Sequence, residues 1–438
     1  MENMLIGVSR ITNRLRYIFD LLMVEQLGIG YSFTTDRTVL EAYEGPRLIY
    51  GNQPIEGIPF LQSVNLLFER EIVSQEFKTF EFEGLKAIFP VFHKQSVMPF
   101  DIFAASFFLV SRYEEYLPFV SDQHGRFEAG SSVLFKIGML QKPLINYWVQ
   151  AFGKRLQAIF PGLKVRKKTY RFQLTYDIDA SWAYLHKGLI RSAGAYIKDL
   201  INADFKEVKQ RSLVLAGKQR DPFDTFGYQL EIQKKYKLRP LYFILFAAYG
   251  LNDKNISVRN HYFQNLIKYL ADYAEIGIHP SYASFDDKAL LKEEIKRLNK
   301  VLNREVTKSR QHFLRMNLPV TYHNLIDLDI EDDYTMGFAA QPGFRAGIAD
   351  DFYFYDLDHD AITSLRIHPF TLMDGTLRDY MKLGATEAIF QAEALIREVK
   401  AVDGTFILLW HNETLSEQKR WVGWRETFEA IIKAALPQ

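Results

Sequence analysis

"FQLTYDIDASWAY", residues 172–184, decides how the rest of the chain is read. An apolar, strand-like run ends in two acids, Asp177 and Asp179, one residue apart. Side chains alternate along a strand, so both carboxylates fall on the same side. Like charges so close repel, and burial makes the repulsion worse. Such a pair persists where a cation sits between the carboxylates, where one of them serves as a base, or where both are solvated. What the chain brings to the same place decides among these.

Outward from this stretch the pattern is regular. Apolar runs such as "RPLYFILFAA", "EIGIHPS", "ITSLRIHPF" and "TFILLWHN" alternate with helical segments such as "NLIKYLADYA", "DKALLKEEIKRLNKVL" and "TEAIFQAEALIREVKAV". A long, mostly helical insertion follows the first run. About seven strand-then-helix units predict an α/β fold, a parallel sheet with helical crossovers. An open doubly wound sheet and a closed barrel both satisfy that pattern. Residues 1–165 read differently, as a smaller mixed α/β domain. It has a hairpin-like "FEFEGLKA", a buried helix in "PFDIFAASFFLVSRYEEYLPF" and an amphipathic helix in "PLINYWVQAFGKRLQAIF". The turn and basic stretch "PGLKVRKKTY" places the boundary, with the second domain at 166–438.

Composition narrows the function classes. With 438 residues the chain is long enough for two domains, and 48% hydrophobic residues supply ample core. Lys+Arg number 54 against 53 Asp+Glu, a balance that argues against nonspecific nucleic-acid binding. There is no cysteine, which excludes disulfides and thiolate metal sites. No apolar run is long enough for a membrane span, and the first residues lack a signal-peptide pattern. The expectation is a soluble, cytoplasmic protein.

Polar residues recur where the apolar runs end. The first ends in Asp177 and Asp179, "EIGIHPS" in His279, and "FILLWHN" in His411; "SRQHFLR" carries His312 and "RIHPF" carries His368. In parallel α/β folds the C-terminal ends of strands form the ligand rim. Carboxylates with imidazoles and no thiolate suit Zn²⁺ or a similar divalent ion. One Asp then ligates while its neighbour takes a proton from a metal-bound water, and a His on another strand protonates the leaving group.

These motifs resemble the polysaccharide deacetylase superfamily (NodB homology, carbohydrate esterase family 4). "TYDID" at 175–179 resembles its first motif, "EIGIHPSYAS" at 275–284 its second and "FILLWHN" at 406–412 its last, and "SRQHFLR" at 309–315 sits where an arginine-bearing third motif belongs. The resemblance covers about 170–430 and implies a distorted (β/α) barrel of seven or eight strands. It implies Asp177 as catalytic base, Asp179 and His279 as metal ligands and His411 as general acid, with Arg310 and Arg315 as third-motif candidates. The second motif's other histidine falls at Ala283, so the expected triad lacks a member, and His312 is the candidate replacement. "DIFAASFFLVSRYEEYLPF" and "HGRF" resemble an uncharacterised domain that precedes such catalytic domains in bacterial proteins associated with surface polysaccharides.

Other residues carry weaker expectations. Arg345, in the Gly-bracketed loop "QPGFRAG", is expected to bind an anionic substrate group or orient Asp177, or to be a solvated turn residue. Tyr282 is a candidate oxyanion donor, His368 a pocket-lining residue and Arg315 a substrate contact. "SRYEEYL" reads as a solvated or salt-bridged face, and "DIEDD" as a solvated loop. The function expected is metal-dependent removal of an N-acetyl or O-acetyl group from a sugar. The alternatives are an inactive glycan-binding protein on the same fold, motivated by Ala283, and a metal-independent glycosidase using Asp177 with a second acid.

Overall fold

The computed structural model describes residues 3–76 and 78–437. Its strands fall into three sheets. The first has β1 (Asn3–Gly7), β2 (Gly30–Thr34), β3 (Arg47–Gly51) and β4 (Phe60–Gln62), all parallel, in the order β2-β1-β3-β4. Alternation splits its side chains between two cores. Met4, Ile6, Leu48 and Tyr50 join the main cluster, while Leu5, Ile49 and Phe60 pack with Leu40 on the other face. A hairpin of β5 (Phe80–Phe82) and β6 (Leu85–Ala87) turns at Gly84, as the sequence suggested.

The expected helix in "PFDIFAASFFLV" is Ile102–Val110, and all nine of its residues are buried. Asp101 caps it by accepting from the Ala104 N–H at 2.9 Å, and also accepts from the Tyr50 hydroxyl and the Val64 N–H. The helix Leu144–Ile159 buries Leu144, Ile145, Trp148, Phe152 and Leu156 along one stripe.

The third sheet has nine strands. They are β7 (Arg171–Ile178), β8 (Leu241–Leu245), β9 (Glu275–His279), β10 (Lys308–Ser309), β11 (Asp332–Asp333), β12 (Phe352–Asp356), β13 (Ala361–Ile367), β14 (Leu372–Met373) and β15 (Thr405–His411). Their order is β12-β13-β11-β10-β9-β8-β7-β15-β14. All neighbours are parallel except β12 with β13. The central strands read as continuous apolar runs because helices cover the sheet, and every residue of β8 is buried.

The expected barrel is not closed by strand pairing. The end strands β12 and β14 do not pair with each other among the described residues. β10, β11 and β14 are two residues long, and Pro369 brings no N–H to a ladder. Irregular chain following β11 instead bonds to the residues just before β14, with the Phe370 N–H donating to the Met336 carbonyl at 3.0 Å and the Gly343 N–H to the Thr371 carbonyl at 2.9 Å. "DIEDD" is also not the solvated loop expected, because Asp332 and Asp333 form β11 and Asp333 is fully buried. One apolar cluster runs from Met4 to Ala435, so both halves of the chain share a core. Among the described residues no helix is long and apolar enough to cross a membrane.

Candidate active site

Strand register brings the chemistry-bearing residues together. Asp177 on β7 lies beside His411 on β15, and Leu245 on β8 lies beside His279 on β9. The C-terminal ends of β15, β7, β8 and β9 are therefore nearly flush. Asp177 is 2% exposed, and its Oδ1 accepts from Arg310 Nη1 at 2.8 Å. Arg310 is itself fully buried, donates to the Thr175 hydroxyl and the Tyr334 carbonyl, and lies over the Phe243 ring. One guanidinium thus balances the Asp177 charge from beneath. The other oxygen, Oδ2, faces the cup, 3.8 Å from His279 Nε2.

Asp179, just past the end of β7, faces three imidazoles. His279 Nε2 is 3.3 Å from its Oδ1; His312 Nε2 and His411 Nε2 are 3.6 and 3.8 Å from its Oδ2. Oδ1 is buried and has no hydrogen-bond partner. Both buried histidines are oriented from behind. His279 Nδ1 meets the Arg310 carbonyl at 2.5 Å, and His312 Nδ1 meets Asp253 Oδ1 at 2.8 Å. With Nδ1–H directed at an acceptor in each ring, Nε2 is the nitrogen that faces Asp179 and the one a cation would take in place of its proton. Phe313 and Leu314 both take left-handed φ, 57° and 55°. For two bulky residues in succession this costs on the order of 1–3 kcal/mol each. The strain falls in the two residues that follow His312.

The electrostatics of the cup ask for positive charge. Burial alone would lower the His312 imidazole, but Asp179 and Asp253 push it up to about 9. Burial likewise opposes protonation of His411, and the adjacent Asp374 carboxylate outweighs it, raising the group well above its usual value. Asp374 accepts from His411 twice, from Nδ1 at 2.7 Å and from the backbone N–H at 2.8 Å. Burial would raise Asp179, yet the His312 charge and the other imidazoles hold it well below the carboxylate range.

Asp179, His279 and His312 present one donor atom each within 4.8 Å of one another, a set that could hold a cation. The orphaned Asp179 oxygen, the two Nε2 atoms freed by their Nδ1 partners and the lack of thiolate fit a divalent ion of the zinc type. Asp177, Asp179, His279, His312 and His411 line one cavity of 220 Å³. A cavity of 440 Å³ lies elsewhere, at the C-terminal ends of β1, β2 and β3, without a comparable cluster. Convergent chemistry, not volume, singles out the smaller one.

The other candidates are placed differently. Arg345 does not orient Asp177; that contact belongs to Arg310. Arg345 is buried, paired through Nε and Nη2 with both oxygens of Glu115 and bonded to the Gly337 carbonyl, so it is neither solvated nor free for substrate. His368 does not line the cavity. Its Nε2 bonds Asp332 at 2.6 Å, and its ring stacks on Tyr334. Tyr282 and Arg315 sit together beyond the cavity lining. The Tyr282 hydroxyl is 3.2 Å from His124 Nδ1, and Arg315 donates to the Tyr282 and His124 carbonyls. His124 comes from the first part of the chain, and Arg126 of the same turn lines the cavity. Sequence reading left Asp253, Asp374 and Arg126 without a role. Asp374 had a signal, an acid followed by Gly at the end of β14; Asp253 lies in a loop that gives none.

Known proteins add little to this geometry. Residues 4–161, about a third of the chain, match a family of unknown function, DUF7033. No curated protein matches. A Mycobacterium smegmatis structure assigned as a polysaccharide deacetylase is 17% identical with a TM-score of 0.40, over 62% of this chain and 86% of that one. BA3943 of Bacillus anthracis, a CE4 family pseudoenzyme, is 14% identical with a TM-score of 0.26, over 61% of this chain and 60% of that one. A BA3943 mutant with restored enzymatic activity is 13% identical at the same TM-score. Likeness at this level does not by itself assign a fold or an activity.

Proposed function

We propose that the chain is a metal-dependent hydrolase that removes an acyl group, foremost N-acetyl, from a sugar. The observation that carries this is the meeting of Asp179, His279 and His312 beside an Asp177 whose outer oxygen is free. Asp179 would hold the ion through its orphaned oxygen, with His279 and His312 ligating through Nε2. A divalent ion there would supply Lewis acidity and would lower the pKa of a water towards neutrality. Asp177 takes the proton of the attacking water on Oδ2 while Arg310 fixes Oδ1. His411, held protonated by Asp374, gives its Nε2 proton to the departing nitrogen or oxygen.

The cavity is smaller than the roughly 300 Å³ at which ligand pockets commonly begin. It suits the acyl-bearing end of a substrate whose remainder lies outside, past Arg126 and Tyr380. The binding-only alternative is motivated by Ala283; the approach of His312 to within 3.6 Å of Asp179 supports the hydrolase reading over it. The test is zinc content after chelation and reloading, with acetate release from N-acetylated oligosaccharides. One equivalent of zinc, lost in Asp179→Ala, with turnover lost in Asp177→Asn, is the expected result. No stoichiometric ion, or turnover unchanged in Asp177→Asn, overturns the proposal.

A further inference from the structure

The insertion between β7 and β8 contains a helix that is turned inside out. Leu189–Ile201 has no buried residue, although it is strongly amphipathic. Leu189 and Ile190 are each 90% exposed and Ile201 is 78% exposed, and Ile197 and Leu200 share their face. Phe205, at the start of the next helix, Phe205–Leu215, is 67% exposed. The side that packs on the protein is the polar one. Arg191 donates to the Lys254 and Asn255 carbonyls and lies 3.8 Å over the Tyr249 ring. Tyr196 bonds Ser212 at 2.9 Å, and Asp199 pairs with Arg211 at 2.7 Å. A helix docked by its polar side holds its apolar side outward by construction, and a contiguous exposed patch of this kind marks an interaction surface.

Charge identifies what covers it. Residues 186–220 hold eight Lys/Arg against three Asp/Glu, in a chain whose totals are 54 and 53. Lys198, Lys206, Lys209 and Lys218 are exposed and pair with no carboxylate among the described residues. Two copies meeting symmetrically through this face would set the same cationic excess against itself. An anionic lipid surface accepts both features, taking the Leu/Ile face at the acyl boundary and the lysines among the headgroups. We propose that the helical pair 189–215 is a peripheral docking surface for anionic membranes. This stands whether or not the chain is a hydrolase, because none of its residues belongs to the candidate active site.

The full-length protein is sedimented with vesicles of phosphatidylcholine alone and with vesicles containing about one-third phosphatidylglycerol. Partition onto the anionic vesicles should be at least about tenfold stronger, and should weaken as salt rises from about 0.1 M to about 0.5 M. The triple variant Leu189→Ser/Ile190→Ser/Ile201→Ser should lose at least about tenfold in partition while keeping the wild-type unfolding midpoint, because the positions are solvent-exposed. Lys206→Glu/Lys209→Glu should lose the preference for anionic lipid. Absence of partition onto the anionic vesicles overturns the proposal, as does wild-type partition by the triple variant. So does a dimer in light scattering that the triple variant converts to monomer, since the face would then belong to a second copy.

Discussion

Two regions of the molecule bury charged side chains, and they differ in what is left over. Around Arg345 the groups close on one another. Arg345 pairs with both oxygens of Glu115, while Arg112 reaches Glu115 at 2.7 Å and Glu114 at 2.8 Å. Ser132 and the Val133 N–H complete Glu114. Burial would raise the Glu115 carboxyl, but the two guanidinium groups hold it below its usual range. Around Asp179 the groups do not close. An acid oxygen lacks a partner, and three imidazoles approach it at ion-pair distance with their outer nitrogens already engaged. Clustered charge therefore means different things in the two places. A network that satisfies itself cements two parts of the chain, whereas one that leaves a donor set pointing at a common centre is built to receive something.

The largest expected effect falls on the open region. Asp177→Asn should lower deacylation about 10²–10⁴-fold, read as kcat for acetate release per folded molecule. Next comes the closed region. Glu115→Ala leaves the buried Arg345 guanidinium without a carboxylate and Arg112 with Glu114 alone, and should destabilise the fold by about 3–5 kcal/mol in denaturant unfolding. Zinc affinity per folded molecule should not change. If Glu115→Ala weakens zinc binding while leaving stability intact, the distinction between the two regions fails.

Smaller effects sharpen the same contrast. Asp253→Asn removes the carboxylate behind His312 and should weaken zinc binding about 10–100-fold in chelator competition. The smallest expected effect concerns Asp332, outside both regions. Burial opposes its ionisation, but His368 and Lys308 lower its carboxyl to about 2 from the model-compound 3.8. Because the folded value is depressed, the stabilisation is present above about pH 4 and lost as pH falls towards about 2. Asp332→Asn should cost about 1 kcal/mol near neutral pH, after allowance for solvent screening. Urea unfolding at stepped pH should show wild type and variant converging in acid.

Much of the fold was legible because local chemistry repeats. Continuous apolar runs such as "LYFIL" and "TFILLWH" could only be buried strands, and their spacing by amphipathic helices made the sheet parallel. The helix at Ile102–Val110 announced itself through Asp101 and its apolar length. Barrel closure was not legible, because it depends on whether short, Pro- and Gly-interrupted segments pair across a gap. Nor was the partner of Arg345, since Glu115 stands 230 positions earlier in the chain. His368 and Asp332 likewise meet only because β11 and β13 are neighbours.

The sequence by itself determined the donor types and their placement at strand ends. Period and composition act over a few residues, and no cysteine offers a competing ligand. Tertiary structure alone decided which of those ends converge. It brought His312 to the cup where Ala283 could contribute nothing, gave Arg310 the contact with Asp177, and set Asp253 and Asp374 behind the imidazoles. The reason is physical: strand order and register are set by the packing of the whole sheet, and a side chain's partner across it is not encoded by its neighbours in sequence.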